Sequence, residues 1–297
     1  IRHRIQRTHL LGLLGFITGM PFSQLLCATE PHLADSKNRI AETKTNAKLE
    51  SIKIEPETID LSGARARQSL LATAIYSDGS TRDVTEFVTV ACEPDGLLQY
   101  EAETFFPNQD GQGNVTVSFE AQSFKLPFSV SNAKSNPPIE FRNEVLQVLT
   151  KSGCNTGKCH GAASGKDGFR LSLYGYDPEG DHFRLTREHF GRRIHLASPD
   201  NSLLLLKALG EVAHTGGQCM EMESESFEIL RQWIREGAQL DQADAPEPTG
   251  IEVYPNRSVF ANPVGEQKMV VMATFADGTR RDVTAHSVFM SNNEGAA

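Results

Sequence analysis

Cys154, Cys159 and His160 stand close together in the stretch KSGCNTGKCHGAASGKDGF, from Lys151 to Phe169. Two thiols and an adjoining imidazole can do three kinds of chemistry. The thiols can add to the vinyl groups of a porphyrin while the histidine ligates its iron. Cys154 and Cys159 can instead close a small disulfide, which needs no histidine. Or Cys154, Cys159 and His160 can supply three of four tetrahedral zinc ligands, with Cys219 or His214 as the fourth. The common thiol–haem signature has two residues between its cysteines; here four intervene, Asn155 to Lys158. Cys159-His160 meets the demand that the histidine follow the second thiol directly. Gly157 gives the longer loop room to bulge, and Gly161, Ala162 and Ala163 leave space for a flat ring near the backbone.

A haem held there needs a ligand on its far face. EVAHTGGQCMEMESESF offers His214, Met220 and Met222, in a loop just before the last helical stretch. The two methionines follow His160 by 60 and 62 residues, a separation suited to methionine ligation, while His214 sits in a Gly-rich loop free to reach inward. His195 in GRRIHLASPD is a weaker candidate. Arg192 and Arg193 beside it suit haem propionates, because guanidinium forks match carboxylates; an exposed basic turn is the plainer reading. Phe169 and Trp233 are expected to pack near the ring.

The elements that must position these residues are helical. IEFRNEVLQVLTKSG places Phe141, Val145, Leu146, Val148 and Leu149 on one broad face and stops at Gly153. ESESFEILRQWIREGA aligns Phe227, Leu230 and Ile234, with Trp233 beside them, and stops at Gly237. Between them, SPDNSLLLLKALGE begins with turn residues that can cap a short apolar helix. A helix delivering a cysteine pair, a long irregular wrap and a closing aromatic helix give the layout of a small cytochrome c.

On either side lies a repeat. SIKIEP (51–56) matches GIEVYP (250–255), and ATAIYSDGSTRDVT (72–85) matches VMATFADGTRRDVT (271–284). Asp78 to Asp277 and Asp83 to Asp282 share one offset, 277 − 78 = 199. This is an internal duplication. Both copies alternate apolar and polar residues around an Asp-Gly turn, the pattern of short antiparallel strands. The first copy adds two more strands in NVTVSFEAQSFKLPFSV (114–130); the second reaches SNNEGAA without them, so further C-terminal domains are expected. Asp78, Arg82 and Asp83 read as turn and salt-bridge residues rather than a site. Proline-rich linkers, SNAKSNPPIE and DQADAPEPTG, bracket the middle. The expected domains are therefore a signal peptide over 1–28, β-domains over 48–132 and 247–297, and a helical domain over 139–240.

IRHRIQR followed by HLLGLLGFITGMPFSQLLCA is a basic segment and then an apolar one, as in a secretory signal, with cleavage after Ala28. Gly19, Pro21, Ser23 and Gln24 interrupt the apolar run, which is short for a permanent span, though an uncleaved segment is the one route to a membrane. The mature chain is expected in the periplasm or at the cell surface. With Cys27 removed, Cys92, Cys154, Cys159 and Cys219 remain. A net charge of −9 argues against nucleic acid as a partner.

The two β-copies resemble the bacterial Ig-like group 2 family over 48–132 and 247–297. GCNTGKCHGAASGKDGFRLSLYGYDPEGD, GRRIHLASPDNSLLLLKALG, AHTGG and LRQWIREGA together resemble the cytochrome c-like module of large exported planctomycete proteins, where it lies among such Ig-like domains. The resemblance implies a multidomain fold, β-sandwich (Ig-like) domains flanking a mainly α cytochrome c-like domain. It implies one covalent haem c per chain, with Cys154 and Cys159 as thioether anchors and His160 as proximal iron ligand. The family's His-Gly-Gly-Gly pattern falls on His214, Gly216 and Gly217, with Thr215 departing from it, and favours His214 over Met220 and Met222 as distal ligand. The implied function is electron transfer with a redox partner that the sequence does not name. The competing expectation is a structural or adhesive exported protein whose middle domain is stapled by a disulfide or zinc. No Ser-His-Asp spacing, carboxylate pair or phosphate loop marks the chain as an enzyme; any catalysis is expected in a C-terminal part.

Overall fold

Alternation of apolar and polar residues builds the first copy. The computed structural model describes residues 47–241, 245–261 and 265–293, so the signal peptide expected over 1–28 lies outside the described residues. Strands β1 (Leu49–Glu55), β4 (Leu71–Tyr76) and β5 (Thr81–Asp83) form an antiparallel sheet in the order β1-β4-β5. A second sheet has the order β2-β10-β9-β6, from Ile59–Ser62, Gln122–Ser131, Gly111–Phe119 and Thr89–Glu93, with β2 parallel to β10. In β10, Leu126, Phe128 and Val130 turn inward while Lys125, Pro127 and Ser129 face out. Ile52, Ile54, Ala72 and Ala74 of the first sheet meet Val115, Val117, Phe128 and Val130 of the second in one core. Strands β3 (Gln68–Ser69), β7 (Leu98–Glu101) and β8 (Thr104–Pro107) make a third sheet, β3-β8-β7.

The second copy contributes one sheet, β11-β12-β13, from Pro248–Tyr254, Val270–Phe275 and Arg280–Asp282. Its register repeats that of the first: Ile52 pairs with Ala74, and Ile251 with Ala273. The Asp-Gly turns match as well. Asp78 Oδ1 accepts from the backbone N–H of Ser80 at 2.9 Å, and Asp277 Oδ1 from that of Thr279 at 2.9 Å. Gly79 and Gly278 take φ of +79° and +83°, the left-handed region that a side chain resists.

The repeated Arg-Asp-Val-Thr does more than turn the chain. Asp83 Oδ2 accepts from the backbone N–H of Lys268 at 2.7 Å, and Asp282 Oδ2 from that of Ser69 at 2.6 Å. Ser69 and Lys268 are themselves 199 residues apart (268 − 69), so the two bonds are the same bond made in both directions. Leu71 and Val270, another equivalent pair, are fully buried in one cluster with Met272. The copies thus meet face to face across a local two-fold relation, as identical surfaces do in a symmetric dimer. Thr85 Oγ1 accepts from Ala72 N–H at 2.9 Å and Thr284 Oγ1 from Val271 N–H at 2.9 Å, which fixes each loop to its own central strand.

Between the copies, a π-turn at Phe141–Val145 runs into α1 (Leu146–Lys151). Helix α2 (Pro178–Thr186) starts with Asp177 as cap and Pro178 in its first turn. Helices α3 (Leu203–Ala208) and α4 (Glu225–Arg235) follow, the latter capped by Ser224 Oγ. Phe141, Val145, Leu149, Leu185, Leu205, Leu230, Trp233 and Ile234 form the core here. A buried carboxylate ties coil to helix: Asp181, with no exposure, accepts from Ser172 N–H at 2.6 Å and from Arg184 Nη1 at 2.9 Å.

This architecture corrects the expectation of β-sandwich (Ig-like) domains flanking a mainly α cytochrome c-like domain. Among the described residues strand exceeds helix, 30% against 22%, and the strands form four sheets, so the fold is β-rich. Helices in the middle are short, the longest having eleven residues. Left-handed residues explain why: Gly153, Gly165, Asp167, Gly168, Tyr174 and Gly175 all have positive φ, which breaks any helix across 152–177. The β-residues likewise divide among several small sheets rather than two large ones per copy.

Candidate functional site

Two histidines carried by different loops come together. His160 follows α1 in the irregular segment, and His214 lies between α3 and α4. Their ring centroids are 6.1 Å apart and their planes differ by 12°. Both rings are held the same way. His160 Nδ1 donates to the backbone carbonyl of Phe169 at 3.1 Å, and His214 Nδ1 to that of Gly217 at 2.9 Å. A carbonyl can only accept, so each Nδ1 carries the proton. With Nδ1 so engaged, Nε2 is the nitrogen each ring has left for a ligand.

The loops are built for this. His160 is fixed at both ends of its own peptide unit: its N–H donates to Cys154 O at 2.9 Å and its carbonyl accepts from Leu171 N–H at 2.8 Å. A Cβ on Gly161 would sit 2.0 Å from Asn155 O, so only glycine fits after the histidine. On the other loop, a Cβ on Gly216 would sit 3.1 Å from His214 Cε1, which leaves the ring free to lie over the backbone. Thr215 Oγ1 donates to Asp167 Oδ2 at 3.1 Å and joins the two loops directly. Sequence reading passed over Asp167; its signal was a polar residue in the turn Lys166-Asp167-Gly168.

Phe169 lies against His160 at 4.6 Å between centroids, as expected. The Arg193 guanidinium lies 4.2 Å over Phe169, pairs with Glu188 at 3.2 Å and donates to Gly168 O at 3.2 Å. Burial lowers the His160 pKa, offset in part by the Phe169 carbonyl, and His214 adds to the lowering. The imidazole is thereby kept neutral.

The other expected residues are dispersed. Trp233 packs on Phe141 and His182 in the core, and its Nε1 donates to Gln239 O at 2.8 Å. Met220 is buried in that same core, and Met222 is exposed. His195 is exposed, its Nδ1 taken by the backbone N–H of Ser198 at 3.0 Å. Arg192 is exposed as well.

The thiols divide unevenly. Cys154, Cys159 and Cys219 are all free and partly buried. Cys154 and Cys219 both pack against the core. The neighbouring Cys219 thiol, together with burial, pushes the Cys154 pKa up. Cys219 is lowered in turn, by Cys154 and by His214. Among the described residues no group of three or more His, Cys, Asp or Glu is arranged to hold a metal ion by itself. The four-ligand zinc arrangement is therefore not formed.

A haem asks less of the protein, because the porphyrin supplies four ligands and the chain only two. His160 and His214 bring two imidazoles to 6.1 Å between centroids, each with Nδ1 held by a carbonyl, and Cys159 adjoins His160, a donor set of the kind haem takes. The residues present fit the group.

No family model and no curated protein matches the chain. Domains 4 and 5 of the S-layer protein SbsC align at 15% identity over 30% of this chain and 55% of that one, with a TM-score of 0.25. The longer S-layer protein rSbsC(31-844) aligns at 16% identity over 35% of this chain and 15% of that one, with a TM-score of 0.28. The chain spans about half the length of the first such structure. Likenesses this slight carry no argument. Among the described residues no helix is long and apolar enough to cross a membrane.

Proposed function

We propose that this chain is an exported haem-carrying module for one-electron transfer, working in the periplasm or at the cell surface. The observation that carries the reading is the His160–His214 pair: near-parallel rings 6.1 Å apart, both pinned at Nδ1 by a backbone carbonyl. His160 and His214 would hold the iron. Cys154 and Cys159 would supply the two thioethers. When bound, haem supplies the Fe(III)/Fe(II) couple.

The chain's own residues do the rest. The Phe169 and Gly217 carbonyls fix the tautomer and make each imidazole a better donor. Phe169 screens one edge of His160 from water, and Arg193 stacked on it holds it there. Two histidines set a lower potential than a histidine–methionine pair. Export is supported by the basic and then apolar N-terminal segment.

The test is an absorption spectrum of the chain made with export and haem-attachment machinery, oxidised and reduced. Bands of a low-spin c-type haem, one per chain, are expected. A purified chain with one equivalent of metal and no haem absorbance overturns the reading.

A further inference from the structure

We propose that the two β-copies form, between strands β1 and β11, a binding site for a small organic ammonium ion. A cavity of about 660 Å³ opens there, lined by Lys53, Glu55 and Glu57 of the first copy and by Glu252, Tyr254 and Arg280 of the second. That size falls within the range of small-molecule sites, about 300–1,000 Å³. None of these residues belongs to the segment that carries His160 and His214, so the proposal stands apart from the haem reading.

The two walls differ in charge. On the second copy, Arg280 Nη2 pairs with Glu252 Oε2 at 2.5 Å, and Tyr254 OH donates to that same oxygen at 2.8 Å. This wall is neutral, and its groups hold one another. On the first copy, Lys53 Nζ pairs with Glu55 Oε1 at 2.6 Å. One ammonium there stands against two carboxylates, Glu55 and Glu57, so the wall is negative. Glu55 is 4% exposed, and its Oε2 is buried with no hydrogen bond from any described residue. A buried carboxylate oxygen left unpaired bears its full desolvation penalty, so it calls for a donor. An ammonium group brings both the donor and the positive charge that this wall lacks. Among the described residues no three His, Cys, Asp or Glu are grouped to hold a metal ion, which favours an organic cation.

The repeat accounts for the asymmetry. Lys53 and Glu252 hold the same place in the two copies (252 − 53 = 199), as do Glu55 and Tyr254 (254 − 55 = 199). Their neighbours are kept: Ile52 matches Ile251, and Pro56 matches Pro255. The strand framework is thus repeated while the side chains that line the cavity are not. Identical side chains would make the two walls alike; the exchange makes one anionic and the other neutral with an aromatic ring. Because the walls come from different copies, a bound cation bridges them and stabilises the folded chain by mass action.

The test is calorimetric titration of the haem-free chain with putrescine at low salt, beside butanediol, which has the same carbon chain without the charges. Putrescine is expected to fill one saturable site, to bind more weakly as salt is added and to raise the urea midpoint; butanediol is expected not to bind. Glu55→Gln is expected to weaken putrescine binding about tenfold or more, the scale of one charge-assisted hydrogen bond. Glu57→Gln alters an exposed side chain, leaves the buried pair intact and is expected to weaken binding severalfold, so it decides the matter should Glu55→Gln not fold. Absence of saturable putrescine binding means that water alone serves Glu55, and overturns the proposal. Equal binding of butanediol, or unchanged affinity in a folded Glu55→Gln or in Glu57→Gln, overturns it as well.

Discussion

The His160 and His214 rings lie 6.1 Å apart and 12° from parallel, although 54 residues (214 − 160) separate them in the chain. Each reaches that position with Nδ1 bound to a carbonyl of its own loop, Phe169 nine residues on and Gly217 three residues on. Two imidazoles in two unlike loops are thus held in the same way.

Replacing the ligands separates their roles. In the haem-loaded chain, His214→Ala is expected to convert a low-spin spectrum to high-spin while the haem stays attached. His160→Ala removes the ligand fixed by the tighter loop and is expected to lower haem content severalfold. Met222→Ala, on an exposed side chain, is expected to leave the spectrum unchanged. A high-spin shift in Met222→Ala instead of His214→Ala contradicts the assignment.

Burial of His160 gives a pH dependence of defined sign. Its folded pKa lies below the ordinary value of 6.5. Between those two values the unfolded chain binds the proton and the folded chain does not, so acid favours unfolding. Stability of the haem-free chain is expected to be flat above about pH 7 and to fall as pH drops through the unfolded value near 6.5. Urea midpoints from pH 8 to 5 measure this, and His160→Gln is expected to flatten the decline.

The reciprocal aspartates clamp the two copies. Asp282 is nearly buried and holds Ser69 N–H, while Asp83 holds Lys268 N–H. Losing an acceptor for a buried N–H costs about 1–3 kcal/mol. Asp282→Ala and Asp83→Ala are each expected to fall in that range by urea denaturation, with the more buried Asp282 costing more. A combined loss smaller than the sum would show that both act on one interface.

Asp181 is the buried charge of the helical segment. Asp181→Ala leaves Ser172 N–H without its acceptor and removes one of the two carboxylates that pair with Arg184. Breaking such a buried pair costs about 3–5 kcal/mol. A measured loss below about 1 kcal/mol contradicts the role assigned to it.

Much of this was legible as local pattern. The 199-residue repeat, the Asp-Gly turns and the helix ends at Gly153 and Gly237 all follow from residues within a few positions of one another. The pairing of Cys159 with His160 is likewise a matter of adjacency. Other relationships were invisible because they join distant residues. Nothing in Arg-Asp-Val-Thr says that its aspartate reaches the other copy, and nothing near His160 says that the His214 ring comes beside it. The overall proportion of strand to helix also went astray. The apolar period marked α1 and α4, but the left-handed residues between them confine helix to short pieces.

By itself, then, the sequence determined the repeat, its turns, and a cysteine–histidine pair in a glycine-rich loop, because each depends on short-range sterics and hydrogen bonding. Only the tertiary structure brings the His214 ring to 6.1 Å from that of His160 while Met220 and Met222 go elsewhere. The reason is burial: the core around α4 takes Met220 for packing and leaves Met222 in solvent, while the Gly216–Gly217 backbone lets the His214 ring turn inward and be held.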